Sequence, residues 1–399
     1  MKSDRVGILT VNCGSSSIKF VLYETGQRLF SGKVDRIGLS GTRLTARDGS
    51  GKPQPAVAFK AANHRQAADF LLDWLEKQPD FGIVAAVGHR VVHGMAHSEP
   101  ELVTPKLLAE LHRLKPYDPE HLPREIELIK AFRERHPKLR QVACFDTAFH
   151  RTMPPVARML AVPRRYWKGG MQRYGFHGIS YTYLMEELAR LGDRSAKRGR
   201  VILAHLGNGA SMAAVLNGKS LDTSMGFTPA AGLVMSTRAG DLDPGLLSYL
   251  SRTYNMTARQ FEWMVNHEAG LLGVSGISSD MRDLLAAEKR DAHAAEAIAL
   301  FCYQAKKWIG AYAAALGGLD TLVFAGGIGE NCPSVRRRIC AGLYFLGVGL
   351  DAPANHKNVG VISAATSQVA VRVIHTDEEM MIARSVSRLL HLQPMRKPL

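Results

Sequence analysis

Apolar runs interrupted by small polar turns recur along the chain, and their spacing alternates between strand-like and helix-like. Val6-Gly-Ile-Leu-Thr-Val11 enters the turn Asn12-Cys-Gly-Ser-Ser-Ser17 and leaves through Ile18-Lys-Phe-Val-Leu-Tyr23, ending near Gly26. Strand, small-residue turn, strand is a β-hairpin signature. A second copy runs from Val201 through His205-Leu-Gly-Asn-Gly209 to Leu216, closed by Asn217-Gly218. Sliding the chain by 194 positions lays Ile8 on Ile202, Leu9 on Leu203, Ser17 on Ser211 and Leu22 on Leu216. The pattern predicts an internal duplication.

Helices and strands alternate after each hairpin. Ala67 to Lys77 places Phe70, Leu71, Trp74 and Leu75 on one helical face, and Val84 to His89 and Gln141 to Phe145 are short apolar strands. In the second half a long helix is predicted over 294–316, a buried strand over 321–325 and another over 369–374. Such alternation implies an α/β fold with mixed or parallel sheets. Thr376 and Glu379 have capping-box spacing and open the last helix. The domain change is placed near residue 150, giving an N-terminal domain 1–150 and a C-terminal domain 151–383.

The 399 residues suggest two or three domains at roughly 150 residues each. With 46% hydrophobic and 22% charged residues the chain reads as globular. Five cysteines without a CxxC pair argue against a disulfide framework and against a thiolate zinc site. The apolar stretch Gly310–Gly329 carries Asp320 and six glycines, and the N-terminal apolar run is too short for a signal peptide. A cytoplasmic protein with no membrane partner is expected. The net charge of +15 invites a nucleic-acid reading, which predicts steeply salt-dependent affinity for DNA. The basic residues are scattered, however, over Arg133–Arg140, Arg194–Arg200 and Arg336–Arg338, without interleaved aromatics. They are read as solvated helix ends with a general pull on small anions, and no nucleic-acid partner is expected.

Ligands of α/β sheets gather at the carboxyl ends of strands, so residues just after apolar runs are the first candidates. Asp146 can hold a hydrated Mg²⁺ or accept a proton, or merely cap a turn. Arg90 presents a fork suited to carboxylate or phosphate, or pairs on the surface. Gly207-Asn208-Gly209 and Gly326-Gly327-Ile328-Gly329 are turns whose backbone N–H groups can approach phosphate oxygens, the second leading through Glu330-Asn331 to a helix near Pro333. Asn217-Gly-Lys-Ser220 is not a P-loop, because position 213 is Ala213. Arg238 sits in a polar loop, Asp280-Met281-Arg282 follows a turn, and His177 lies between Phe176 and Gly178, either structural or catalytic.

These segments, taken together, resemble the acetate kinase family, within the group of sugar kinases, Hsp70 chaperones and actin. The likeness rests on residues 11–19, Gly-His-Arg-Val-Val-His-Gly (88–94), Phe-Asp-Thr-Ala-Phe-His (145–150) and Arg-Tyr-Gly-Phe-His-Gly (173–178). It continues through 205–211, 222–229, 237–244, 278–282 and 326–331. The resemblance implies two duplicated ribonuclease-H-like domains with an interdomain active-site cleft, and a C-terminal helix, 384–399, that returns to the first domain. It also implies a homodimer converting ATP and acetate to ADP and acetyl phosphate with Mg²⁺ (or Mn²⁺). By that resemblance Asn12 and Glu378 help hold the metal, and Asp146 orients the metal-bound phosphoryl group. Arg90 and Arg238 clamp the acyl carboxylate and the transferring group, to which His177 donates a hydrogen bond. His205, Asn208 and Gly209 cradle the nucleotide phosphates, and Ser17, Lys19, Leu206 and Gly207 join them in binding the nucleotide. Asp280, Met281 and Arg282, with Gly326, Gly327, Ile328, Gly329, Glu330 and Asn331, surround the nucleotide. Val92, Phe176 and Pro229 wall the methyl group.

The chain departs from the family pattern in one loop. Where Leu-His-Asn-Pro is usual it reads Lys115-Pro-Tyr-Asp-Pro-Glu-His-Leu122, which puts Tyr117 in the histidine's place, unless His121 reaches inward. Tyr181 also stands where a histidine is common. Two rival readings are kept: a kinase for propionate or another short carboxylate, and an actin- or Hsp70-like ATP-binding scaffold without acyl-kinase activity.

Overall fold

Both hairpins form, and each belongs to a sheet of its own. The computed structural model describes residues 5–14 and 16–393. Phe149–Thr376 makes one compact unit, and the described residues on either side of it make the other. The first unit holds β1 (Gly7–Cys13), β2 (Ser17–Glu24), β3 (Gln27–Asp35), β4 (Arg43–Asp48), β5 (Val57–Ala58), β6 (Val84–Val91), β7 (Glu101–Leu102) and β8 (Arg140–Phe145). Their order is β5-β4-β3-β2-β1-β6-β8-β7. The second unit holds β9 (Arg200–Leu206), β10 (Ala210–Leu216), β11 (Lys219–Thr223), β12 (Thr321–Ala325) and β13 (Ala370–Val373), ordered β11-β10-β9-β12-β13. β1 pairs antiparallel with β2 and parallel with β6; β9 pairs antiparallel with β10 and parallel with β12. The run β3-β2-β1-β6-β8 therefore matches β11-β10-β9-β12-β13 strand for strand, and the duplication extends past the hairpins.

Alternation along the strands decides what each face meets. On β2, Ile18, Phe20 and Leu22 are buried while Lys19 between them is exposed. That apolar face joins Phe30, Val34 and Leu44 and packs with Ala67, Ala68, Leu71, Leu72 and Leu75 of the helix His64–Glu76. Asn63 caps that helix, its side chain accepting from the Gln66 N–H. Each such leucine contributes about 1.5–3 kcal/mol through burial. Asn217 and Gly218 both have positive φ, 51° and 78°, the backbone that a two-residue hairpin between β10 and β11 requires. All five cysteines are buried thiols, and burial pushes Cys144 and Cys340 up to about 12, so neither is a nucleophile at neutral pH.

Three expectations are corrected. The last helix is Glu378–Leu389 rather than 384–399, and residues 394–399 lie outside the described residues. Its cap is Asp377, which accepts from the Met380 N–H, whereas the Thr376 hydroxyl is taken up by Ser180, so the capping box does not form. Gly88 lets this helix lie against the sheet, since a methyl there would come within 2.4 Å of Ile382 Cγ2. Arg336 is fully buried rather than solvated. It lies in the stripe of Cys332, Val335, Ile339 and Cys340 on the buried side of the helix Pro333–Cys340. Its guanidinium donates to the carbonyls of Gly329, Glu330 and Asn355 and to the side-chain oxygens of Asn355 and Asn358. Five acceptors offset the desolvation of that one cation.

Candidate functional site

Functional groups gather at the carboxyl ends of the parallel strands in each unit. In the first unit β1 delivers Asn12, β6 delivers Arg90, and Asp146 follows β8 directly. Asp146 is held there by its own N–H, which donates to the Val91 carbonyl at 2.9 Å. Arg90 donates to Asp146 Oδ2 at 2.6 Å and to Asn12 Oδ1 at 3.3 Å. Asn12 Nδ2 donates in turn to Glu378 Oε2 at 3.4 Å. Asp146 is 1% exposed and Arg90 15% exposed, so this pair acts in a low-dielectric setting. The Arg90 Nε is buried with no hydrogen bond to the protein.

Charge at this cluster is tuned by its own members. Burial alone would lower the Arg90 pKa, but Asp146 and Glu378 outweigh it and hold the guanidinium above its ordinary value. Burial raises the Glu378 carboxyl although Arg90 opposes it, and raises Glu379 against the pull of Lys19. Lys19 stands opposite Asn12 in the β1–β2 register, and Ser17 opens β2. Asp146 is engaged by the Arg90 guanidinium in an ion pair at 2.6 Å.

Beside this cluster Val92 is 2% exposed, and its N–H donates to both oxygens of Glu125 at 3.2 Å. Glu125 is itself buried on the apolar face of the helix Leu122–Arg135, and burial, reinforced by Asp118, pushes its pKa well up. The sequence pattern did not single it out. Its signal was a carboxylate at helical spacing among Leu122, Ile126 and Ile129. Tyr117 is half-buried with its ring 6.0 Å from that of His93. The His121 ring meets Asp118 at 2.9 Å and is therefore tied to its own loop.

The second unit presents a different set. β9 ends in His205-Leu206, and Gly207-Asn208-Gly209 turns into β10, closed by the Gly207 N–H donating to the Gly209 carbonyl at 3.0 Å. A methyl at Gly209 would lie 3.2 Å from His177 Nε2 and 3.4 Å from Arg238 Nη2, so both side chains converge on this turn. Ser236 donates its N–H to the Asn208 carbonyl at 3.1 Å. Arg238 donates through Nη1 to the Pro229 carbonyl at 2.8 Å. His177 and His205 stack at 4.3 Å between ring centroids. Phe176 is 1% exposed, and its carbonyl meets His150 Nε2 at 3.1 Å.

The glycine segment after β12 is the helix Gly326–Asn331. Glu330 is turned inward: its carboxylate accepts from the N–H groups of Gly326 at 2.8 Å and Thr376 at 3.1 Å and contacts the His375 ring. Glu330 therefore shapes the turn from behind, as Arg336 does through the Gly329 and Glu330 carbonyls. Asn331 Nδ2 returns to the Gly327 carbonyl at 3.0 Å. Asp280 caps the helix Met281–Ala287 and pairs with exposed Arg282 at 2.6 Å, while Met281 and Ile328 are buried.

Oxygen donors suit Mg²⁺, which takes one or two carboxylates and completes its shell with water and substrate phosphate. Asn12, Asp146 and Glu378 fit that pattern, and the described residues contain no grouping of three or more His, Cys, Asp or Glu able to hold a metal alone. No helix among the described residues is long and apolar enough to cross a membrane.

The acetokinase family model matches residues 7–384. An acetate kinase of Rhodopseudomonas palustris (strain TIE-1) is 46% identical over 392 residues, covering 96% of this chain and 98% of that one. The crystal structure of Porphyromonas gingivalis acetate kinase superposes with a TM-score of 0.88 at 39% identity, over 96% of this chain and 100% of that one. A propionate kinase structure from Francisella tularensis subsp. tularensis SCHU S4 gives 0.90 at 36% identity, over 95% and 98%. Matched by the family model over residues 7–384 and by relatives along nearly its whole length, the chain belongs to the acetokinase family.

Proposed function

We propose that the protein is an acetate kinase: it transfers the terminal phosphoryl group of ATP to acetate, reversibly, giving acetyl phosphate and ADP, with Mg²⁺. The observation that carries this reading is the buried Arg90 bound to Asp146 and Asn12 at the strand ends of the first unit. A carboxylate substrate is already ionised near neutral pH and needs no general base. The barrier is that of bringing an anion to a polyanion, and Arg90 and Arg238 supply the positive charge and alignment that this requires. Asp146 fixes the Arg90 fork for the acyl carboxylate. His177 donates a hydrogen bond to the transferring phosphoryl, and the Gly207–Gly209 and Gly326–Gly329 turns offer N–H groups to the remaining phosphates. Asn12, Asp146 and Glu378 would hold Mg²⁺, which when bound supplies further positive charge to the phosphate oxygens.

Val92, Phe176 and Pro229 wall the methyl group. One methylene changes binding by only about 1–3 kcal/mol, so propionate is the second substrate to test, in keeping with the propionate kinase likeness. We infer further that the enzyme is a cytoplasmic homodimer. Tyr249, Tyr254 and Trp263 support self-association, each being more than half exposed within a short stretch.

Hydroxylamine trapping of acyl phosphate across acetate, propionate and butyrate, with ATP or pyrophosphate as donor, tests the reading. Acetyl hydroxamate formed only with ATP and Mg²⁺ is the expected result. An ATPase indifferent to short carboxylates would instead favour the Hsp70-like scaffold. Light scattering on the eluted protein checks the dimer.

A further inference from the structure

We propose that Tyr181 is a positioning residue that fixes neutral His177 as the tautomer carrying its proton on Nε2. His177 occupies a left-handed backbone position, φ 58°, at the start of the helix Gly178–Arg190. Its Nδ1 lies 2.8 Å from Ser211 Oγ, and the same serine oxygen is in close hydrogen-bond contact with the Tyr181 hydroxyl. Tyr181 and Ser211 are both fully buried.

Proton accounting along this chain gives it a direction. Serine has one proton to donate and two lone pairs to accept with. A phenol, with an ordinary pKa near 10, is a far stronger acid than an aliphatic alcohol and the better donor of the two. Tyr181 therefore donates to Ser211, and the serine proton is directed to His177 Nδ1 as its acceptor. A neutral imidazole whose Nδ1 accepts must carry its hydrogen on Nε2. That nitrogen is the one facing the Gly207–Gly209 turn, 3.2 Å from where a methyl at Gly209 would sit.

The stacked partner supplies a built-in reference. His205 Nδ1 lies 2.8 Å from Ser180 Oγ, which lies 2.8 Å from Thr376 Oγ1. Two aliphatic hydroxyls have no such difference in acidity, so this pair does not impose the same bias on His205. The use of the arrangement rests on the kinase reading above: a Nε2–H donor aimed at the phosphoryl without the imidazole having to be charged.

Full-length protein labelled with ¹⁵N-histidine tests the idea by long-range proton–nitrogen correlation above neutral pH, the His177 signals being assigned by their loss in His177→Gln. The expected result is a protonated Nε2 and a bare Nδ1 for His177 in the wild type. Tyr181→Phe should give a mixture of tautomers at His177 with the His205 signals unmoved, and a several-fold lower kcat with KM values within twofold. Should Tyr181→Phe fail to fold by circular dichroism, Ser211→Ala is read for the same loss of bias. A proton on Nδ1 in the wild type, or a tautomer indifferent to both substitutions, overturns the proposal. Wild-type protein that shows the expected tautomer yet forms no acyl phosphate overturns the kinase reading instead and leaves the tautomer assignment supported.

Discussion

The two units share one strand order but furnish its ends with opposite chemistry. At the ends of β1, β6 and β8 stand Asn12, Arg90 and Asp146, a charged set whose members neutralise one another out of water. At the ends of β9 and β12 stand His205 and two glycine turns, joined by His177, a set held mainly by hydroxyls and backbone groups. A duplicated scaffold fixes where ligands are met, since parallel strands end side by side in both copies. It does not fix what meets them. The charged set is interdependent, because removing one member strands another. The second set is modular, because each hydroxyl or glycine acts locally and its one arginine, Arg238, is held by the Pro229 carbonyl.

Removing an arginine from each set tests that contrast most severely. Arg90→Ala should lower acyl-phosphate turnover by about 10³-fold or more, and also unfold the protein more easily by about 3–5 kcal/mol, because Asp146 and Glu378 lose their counter-charge. Arg238→Ala should lower turnover comparably while barely moving the melting temperature. Equal melting temperatures for the two variants would break the comparison.

Next in size is the buried His89, whose ring meets the Gln141 amide at 2.8 Å and whose pKa burial lowers to about 4. Its native value lies below its unfolded one, so the unfolded chain binds more protons between them. Stability is therefore lost as pH falls from about 6.5 through about 4, by up to about 3 kcal/mol. Denaturation across that range should show a shallower acid limb in His89→Leu. An unchanged slope would mean that the first unit tolerates a charge there.

Glu378→Gln should raise the Mg²⁺ concentration for half-maximal activity roughly tenfold. The raised carboxyl pKa has the opposite sign: the native state holds its proton more tightly, so this contribution is lost as pH rises through the shifted value. The glutamine variant should thus lose less stability than wild type on going alkaline, as melting curves at two pH values would show. Gly209→Ala, which sets a methyl 3.2 Å from His177 Nε2, should raise KM for ATP several-fold with little change in folding. Tyr117→His should alter acid preference by about threefold or less, and identical kinetics for acetate and propionate would remove Tyr117 from the substrate pocket.

Much of the scaffold was legible from local pattern. The hairpins, the helix over 294–316 and the strand over 321–325 follow from periodicity, and the structure gives Ala292–Leu316 and Thr321–Ala325. The positions of Arg90 and Asp146 followed from their place at the ends of apolar runs, whereas Asn12 and His205 were marked only by the family resemblance. The side of a residue that faces the ligand was less legible. Glu330 reads as part of a phosphate loop, yet its carboxylate turns inward to Gly326 and Thr376. Arg336 reads as one of three surface cations, although its place in the stripe of Val335 and Ile339 marked it as buried.

The repeat, the alternation of strands and helices and the glycine turns are written in the order of the residues, because each is set by neighbours within a few positions. Which groups share a proton or a charge is settled by how the chain folds back on itself. Asn12 meets Glu378 across 366 positions, and Ser180 meets Thr376 across 196. Pairings over such separations depend on strand order and helix docking, which no local period encodes.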